Sequence, residues 1–493
     1  LATSAPVLEQ TATAYEVVIG LEVHAQLLTQ SKMYCGCSAR YADAEPNTHV
    51  CLVCGGFPGA LPVMNRAAVE AAMLTGLALN CEIPPHCKMD RKNYVYPDLP
   101  KGYQISQYDL PLCINGTLEF ISAGEKKRAG ITRVHIEEDT GRLVHQVDAG
   151  GAQISLVDLN RSGVPLMEIV GEPDLRSAEE ARDYLIALRQ ILRYIGVSTG
   201  NMEEGAFRCD ANISVRRVGD PLGSKVEVKN MNSFRAVERA LLFEQERQLQ
   251  RIQEGLPIEQ ETRGWVEDRG VTVSQRTKEQ AHDYRYFPEP DLPPLAISAE
   301  MVDAVRSRLP ALPIERRERL LTTYGLSSAD ADLLIAERDT ADYFDAVVDG
   351  DSAARAKAAA NWILNDLMAL QRVRGLPADQ LPLTAAQLRD LLDALDEGAL
   401  TGRAAKELLP QIEDGEMPRA AAVRLNLVAL NDEGPVIEAA RATLDAFPAA
   451  VADYKGGKKA AIGRLIGETI KRTGGRADPD QVRRILESEL NAN

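Results

Sequence analysis

A chain of 493 residues, 45% hydrophobic and 26% charged, is too long for one core and implies roughly two to four domains of ordinary globular composition. Its formal charge of -16 excludes a protein that coats nucleic acid indiscriminately, because such binding needs many Lys and Arg to meet phosphates; a local basic patch stays allowed. No run of about 18 apolar residues is present to span a membrane, and eight cysteines in so long a chain point to reduced thiols and a metal site in the cytoplasm, not to a disulfide framework.

Residues 1–14 have neither the basic and apolar regions of a secretory signal nor the arginines of a transit peptide, and read as a disordered extension. The first ordered element expected is a strand over Tyr15 to Gln26. Alternation places Glu22, His24 and Gln26 on one face and Leu21, Val23 and Ala25 on the other. One face packs and the other is free for chemistry, or simply meets water. Cys35 and Cys37 follow, then thirteen residues, then Cys51 and Cys54. Two close thiol pairs across a short loop match one tetrahedral Zn2+, and four thiolates leave no open position, so the role is structural. Such a site contributes on the order of 10 kcal/mol to folding.

Arg66 to Leu79 has helical spacing of apolar residues. The breaker-bounded stretch from Asp90 to Gln107 then concentrates cations, hydroxyls and aromatics; it suits a phosphate-holding loop or a solvated one. In Ile131 to Asp139, Val134, Ile136 and Glu138 share one face while Arg133, His135 and Glu137 share the other. Ile154 to Arg161 and Leu166 to Val170 read as the next strand pair, with Glu168 inside an apolar run, where a carboxylate calls for a partner or a metal. Glu22, His24, Glu138 and Glu168 are thus candidates for an oxygen-rich divalent-cation site, the alternative being scattered salt bridges.

Ser177 and Glu180 form a capping-box signature before an amphipathic helix that ends near Gly196. Strands recur at Cys209 to Val215 and Lys225 to Asn230, and a second long helix starts at Ser233. An α+β domain with a mostly antiparallel sheet over 15–293 is therefore expected, closed by the proline-rich stretch Phe287 to Pro294. An all-α domain over 294–415 and a small α-helical tail over 416–493 follow. Within the tail, Lys455, Lys458, Lys459, Arg464, Lys471, Arg472 and Arg476 face one acid, Glu468. This is a docking patch for a polyanion or a solvated helix face. No Walker A loop, kinase glycine loop, dinucleotide fingerprint, HExxH or GxSxG motif occurs.

The segments VIGLEVHAQL, DRKNYVYPDLPKGYQISQYDLP, GITRVHIEEDTGR, SLVDLNRSGVPLMEIV, MEEGAFRCDANISV and DYRYFPEPDLPPL closely resemble the B-subunit family of bacterial glutamyl/aspartyl-tRNA amidotransferases, the GatCAB complex. The resemblance runs from about Tyr15 to the C-terminus, where ADYKGGKKAAIGRLIGETIKRTGG is similar to the family's YqeY-like tail. It implies a ligase subunit that uses ATP to phosphorylate the side-chain carboxylate of Glu-tRNA(Gln) or Asp-tRNA(Asn). Ammonia from an A-subunit glutaminase then displaces the phosphate, and a small C subunit completes a heterotrimer. It further implies that Glu22, His24, Glu138 and Glu168 are catalytic Mg2+ ligands and that Arg91, Lys92, Tyr94 and Ser106 contact nucleotide or acyl phosphate. Cys35, Cys37, Cys51 and Cys54 retain the family's full zinc set, and the basic stretch of the tail is the implied tRNA contact. A zinc-stabilised tRNA scaffold without catalysis and the archaeal-type subunit with an inserted synthetase-like domain are the alternatives. The intact acids speak against the first and the short span beyond Pro294 against the second.

Overall fold

The computed structural model describes residues 15–492, apart from 149, 278–282, 349, 351, 378 and 431. The extension expected over 1–14 lies outside the described residues. The chain divides into two compact units, one ending at Ile314 and one beginning at Glu315.

The first unit carries strands β1 (Tyr15–Gln26), β2 (His86–Cys87), β3 (Asp90–Asn93), β4 (Tyr103–Ser106), β5 (Cys113–Ser122), β6 (Glu125–Glu138), β7 (Arg142–Val147) and β8 (Gln153–Asp158). They are followed by β9 (Pro165–Gly171), β10 (Phe207–Arg217), β11 (Val226–Met231), β12 (Glu261–Val266), β13 (Val271–Thr277), β14 (Phe287–Pro288) and β15 (Leu295–Ala296). Eight of them form one sheet in the order β13-β12-β11-β10-β1-β9-β6-β5. Only β11 and β12 run parallel, in keeping with the expected α+β class. Period-two alternation gives this sheet two unlike faces. Ile19, Leu21, Val23 and Ala25 of β1, Val134 and Ile136 of β6, Met167 and Ile169 of β9, and Ala211 and Ile213 of β10 enter one apolar core. Helices Arg66–Ala78, Ala178–Tyr194 and Phe234–Gln253 bury their apolar sides in the same core. The other face is polar.

Two local expectations are corrected. β8 does not pair with β9: it pairs with β7 in a separate hairpin, while β9 lies between β1 and β6. The apolar run of β9 is buried through five successive residues and requires a central position, whereas β8 is largely exposed and tolerates a two-stranded hairpin. The turn between them is fixed by Asn160, whose side chain accepts from His49 N and donates to Glu45 O. Its Gly163 sits at φ +84 with a Cβ position only 3.4 Å from Cys54 Cβ, so a side chain there meets both strain and contact. At the helix start, Ser177 accepts from Glu180 N as expected, but the Glu180 carboxylate takes the N–H of Arg176 instead of completing the reciprocal box.

The second unit is helical among its described residues. It holds two apolar clusters, one from Leu320 to Leu427 and one from Val436 to Leu490.

Candidate functional site

β1, β9 and β6 are hydrogen-bonded neighbours, and their register sets His24 opposite Glu168 and Glu168 opposite His135. On the polar face, His24 Nε2 lies 3.4 Å from Glu168 and 3.6 Å from Glu137, and His135 Nε2 lies 3.3 Å from Glu168. Ligand atoms of His24, Glu137 and Glu168 all fall within 4.8 Å of one another. Ser106 at the end of β4 donates to Glu137 Oε2 at 3.1 Å. Glu22 shares the face but stands one step aside, accepting from Asn212. Burial and the nearby Glu168 charge push its carboxyl up. Burial opposes charge on both His24 and Glu168, yet their mutual contact raises the imidazole, and His135 with His24 holds the Glu168 carboxyl well below the usual carboxylate range.

The convergence expected for Glu138 falls on Glu137 instead. Alternation turns Glu138 to the opposite side of β6, where Lys101 Nζ donates to both its oxygens (2.5 and 2.6 Å) and Ile105 N donates at 3.0 Å. The signal was present in the sequence, since Val134 and Ile136 mark the core face and Glu138 continues it. Next to Glu137 the polar face ends in a second network. Asp139 is buried against Arg208 at 3.0 Å and Arg161 at 3.8 Å, and Gln26 donates to it at 2.7 Å.

The residues of β3 divide between two environments. Arg91 makes a bidentate pair with buried Glu289, at 2.7 and 2.8 Å, and covers the Tyr103 ring at 4.2 Å. This pair ties β3 to β14. Lys92 points the other way. It makes no ion pair among the described residues, lies over the Tyr94 and Tyr284 rings at 5.9 and 5.0 Å, and feels the charges of Glu137 and Glu168 strongly enough to be raised despite its burial.

Cys35, Cys37, Cys51 and Cys54 bring their sulfurs together, with Cys54 Sγ 4.0 Å from Cys37 and 3.9 Å from Cys51. Zn–S bonds of about 2.3 Å in a tetrahedron give S···S edges of about 3.8 Å. The four sulfurs therefore form a possible metal-binding cluster of the right size. Lys32, which the sequence reading missed, is fully buried beside them. Its ammonium donates to His49 O at 2.8 Å, Leu159 O at 3.3 Å and Cys54 Sγ at 3.5 Å. A sulfur hydrogen bond with Cys35, helped by Lys32, draws the Cys54 thiol down. A buried ammonium needs a negative partner, and thiolate sulfur supplies one.

In the tail, Lys455, Lys458, Lys459, Arg464, Lys471 and Arg472 are exposed and Arg476 is half-buried. Lys458 pairs with Asp453 at 2.9 Å, Arg464 covers Phe447, and Arg476 donates to Asn426. Lys471 and Arg472 close the helix Ile462–Arg472. No helix of the described residues is long and apolar enough to cross a membrane.

Residues 17–303 match the GatB/GatE catalytic domain, and residues 342–490 match the GatB domain. The chain is 56% identical to the aspartyl/glutamyl-tRNA(Asn/Gln) amidotransferase B subunit of Thermomicrobium roseum, across 97% of this chain and 99% of that one. Proteins of the same name are 50% identical in Dehalococcoides mccartyi, across 97% and 99% of the two chains, and 52% identical in Moorella thermoacetica, across 97% and 100%.

Proposed function

Because the chain belongs to the family of aspartyl/glutamyl-tRNA(Asn/Gln) amidotransferase B subunits, we propose that its first unit activates the side-chain carboxylate of tRNA-bound Glu or Asp at the expense of ATP. Ammonia delivered by a glutaminase subunit of the same complex then converts the activated acyl group to the amide. The observation that carries this reading is the meeting of His24, Glu137 and Glu168 on one polar sheet face with Ser106 and Lys92 beside them.

A carboxylate is a poor acyl donor and gains a leaving group by phosphorylation, a reaction that demands positioning and charge neutralisation more than covalent help. The donor set fits a hard divalent cation: two carboxylates and an imidazole within ligand spacing, with no Lys or Arg ion-paired to Glu137 or Glu168 among the described residues. Bound Mg2+ would neutralise phosphate oxygens during transfer. His135 and Ser106 hold the two carboxylates in place, and Lys92 offers an unpaired ammonium to a transferring phosphate. Arg91, through its pair with Glu289, supports the β3–β14 edge beside Lys92. The four cysteines hold a structural Zn2+. The tail, through Lys459, Lys471 and Arg472, meets tRNA phosphates, which positions the nucleic acid without reading its sequence. The cradle, helical and tail divisions at 15–293, 294–415 and 416–493, a cytoplasmic location, and an assembly with A and C subunits belong to the same proposal.

The test is ADP formation by the assembled complex with Mg2+-ATP and no ammonia donor. Misacylated tRNA should stimulate it and uncharged tRNA should not, and Glu168→Gln should abolish the stimulation. Stimulation that survives Glu168→Gln would move activation away from this face.

A further inference from the structure

Residues 46–65 include no Asp, Glu, Lys or Arg, although 26% of the whole chain is charged. Such a composition suits a buried segment, yet Leu52, Phe57, Leu61 and Val63 are 62%, 58%, 62% and 72% exposed. The loop that presents them is fixed. The sulfurs of Cys51 and Cys54 gather with those of Cys35 and Cys37 at one end. Phe57 N donates to Leu52 O at 2.9 Å, Val63 N to Tyr34 O at 3.0 Å and Asn65 N to Met33 O at 2.9 Å. At Gly56 a Cβ would stand 2.9 Å from Lys101 N, so the loop lies directly against the backbone of Pro100 and Lys101. A single apolar side chain on a surface is ordinary, but four large ones held out by one fixed, uncharged loop mark a surface that another molecule covers.

Two observations identify the class of that molecule. A nucleic acid is held by cations at its phosphates. This loop offers none, and the ammonium it abuts, Lys101, is engaged by both oxygens of Glu138. The cover is therefore an apolar protein surface. The loop also adjoins the activation face: Gly56 lies against Lys101, Lys101 holds Glu138, and Glu138 follows Glu137 on β6. Under the functional reading above, that face consumes ammonia made on another subunit. Ammonia released into water takes up a proton and with it loses the lone pair that attacks the acyl group. The subunit that makes ammonia must therefore sit against the activation face and exclude water along the seam, which a dry, uncharged surface achieves.

We propose that the loop 46–65, through Leu52, Phe57, Leu61 and Val63, is the docking surface for the glutaminase subunit. The proposal rests on the functional reading above and adds to it the place where the ammonia donor sits. The cysteine cluster then has a second consequence, because the backbone it fixes is the one that presents these four side chains to the partner.

The experiment uses the complex co-assembled from its subunits with five forms of this chain: wild type, Phe57→Glu, Leu61→Glu, Phe57→Leu and Leu222→Glu. Leu222 is 59% exposed on the connection between β10 and β11 and serves as a site outside the loop. Release of the glutaminase subunit is measured on dilution, and conversion of Glu-tRNA(Gln) is followed separately with glutamine and with ammonium chloride. Phe57→Glu and Leu61→Glu should each raise the dissociation constant of the glutaminase subunit at least about 30-fold, as for a residue at the centre of an interface. Glutamine-dependent conversion should fall with it in dilute solution while ammonium-dependent conversion is retained, which shows that the variant chain is folded and its activation face intact. Phe57→Leu and Leu222→Glu should hold the partner as wild type does. Glutamate variants at 57 and 61 that retain the glutaminase subunit as tightly as wild type would overturn the proposal, and weaker tRNA binding in the same variants would then place the nucleic acid on this loop. Equal release by Leu222→Glu would overturn it as well. Wild type that converts its substrate with neither nitrogen source would sink the functional reading, whereas the docking surface is judged by subunit release alone.

Discussion

Lys32→Met removes the ammonium beside the cysteine cluster while leaving the aliphatic stem nearly filled, so its effect isolates charge and hydrogen bonding from packing. His49 O and Leu159 O lose their donor, and Cys54 Sγ loses its cationic neighbour. Each carbonyl left unsatisfied in the interior costs about 1–3 kcal/mol, and because His49 and Leu159 are only half-buried the lower part of that range applies, giving a total of about 2–3 kcal/mol. At about 2–4 °C per kcal/mol for a unit of this size, the melting temperature should fall by roughly 5–10 °C. Removing an outer partner of a metal ligand costs about 10- to 100-fold in metal affinity, so zinc should pass to a chromophoric chelator faster in the variant by a factor in that range. The assay is parallel: metal content, chelator-driven release and thermal melting of wild type and variant within the complex. A variant that melts and retains zinc like wild type would refute the charge argument at the cluster.

Other consequences follow from single interactions. Arg91→Met strands the Glu289 carboxylate in a fully buried position, and the loss of such a partner costs about 3–5 kcal/mol; a thermal melt indistinguishable from wild type would contradict the structural role assigned to that pair. Neutralising Lys459, Lys471 and Arg472 together should weaken tRNA binding and flatten its salt dependence by about 0.7–0.9 in log–log slope for each phosphate no longer neutralised, and an unaltered slope would place the tRNA-binding surface elsewhere. Asp139 supplies a pH dependence. Burial pushes its carboxyl up, but Arg208, Arg161 and the Gln26 hydrogen bond hold it below the ordinary aspartate range. Its folded value is therefore depressed, so its stabilisation is complete above the unfolded value of about 3.9 and is lost as pH falls through the lower folded value. Asp139→Asn should be the less stable protein at neutral pH, with the gap closing under acid; a gap independent of pH would refute the assignment.

Much of the fold follows from local pattern. The apolar alternation of Tyr15 to Gln26 locates the central strand and its polar face, the Ser177 cap locates a helix start, and the cysteine spacing locates the sulfur cluster. Long-range choices were less legible. Whether the strand at Pro165 pairs with its predecessor or with β1 and β6 depends on burial at both of its edges, which no window along the chain reports. The parity that separates Glu137 from Glu138 was visible in the flanking Val134 and Ile136, and it alone turns Glu138 away from the site; the partner that meets it there, Lys101, lies 37 residues away in sequence and had no local mark. Lys32 carries no local mark of burial. Tyr94 and Tyr284 come together under Lys92 only because β14 returns to pair with β3 after nearly two hundred residues, joining Phe287 to Arg91.

The most direct test of the account substitutes Glu137 with Gln and follows conversion of Glu-tRNA(Gln) to Gln-tRNA(Gln) by the assembled complex with Mg2+-ATP and ammonium chloride, which bypasses the glutaminase. Conversion should fall by at least about 100-fold, as for loss of a group that stabilises transferring charge, while affinity for the tRNA stays within about twofold of wild type, as expected when the substituted residue is not one of the cations proposed to meet tRNA phosphates. Equal conversion by wild type and Glu137→Gln would contradict the assignment of activation to this sheet face and leave the chain as a zinc-stabilised tRNA scaffold.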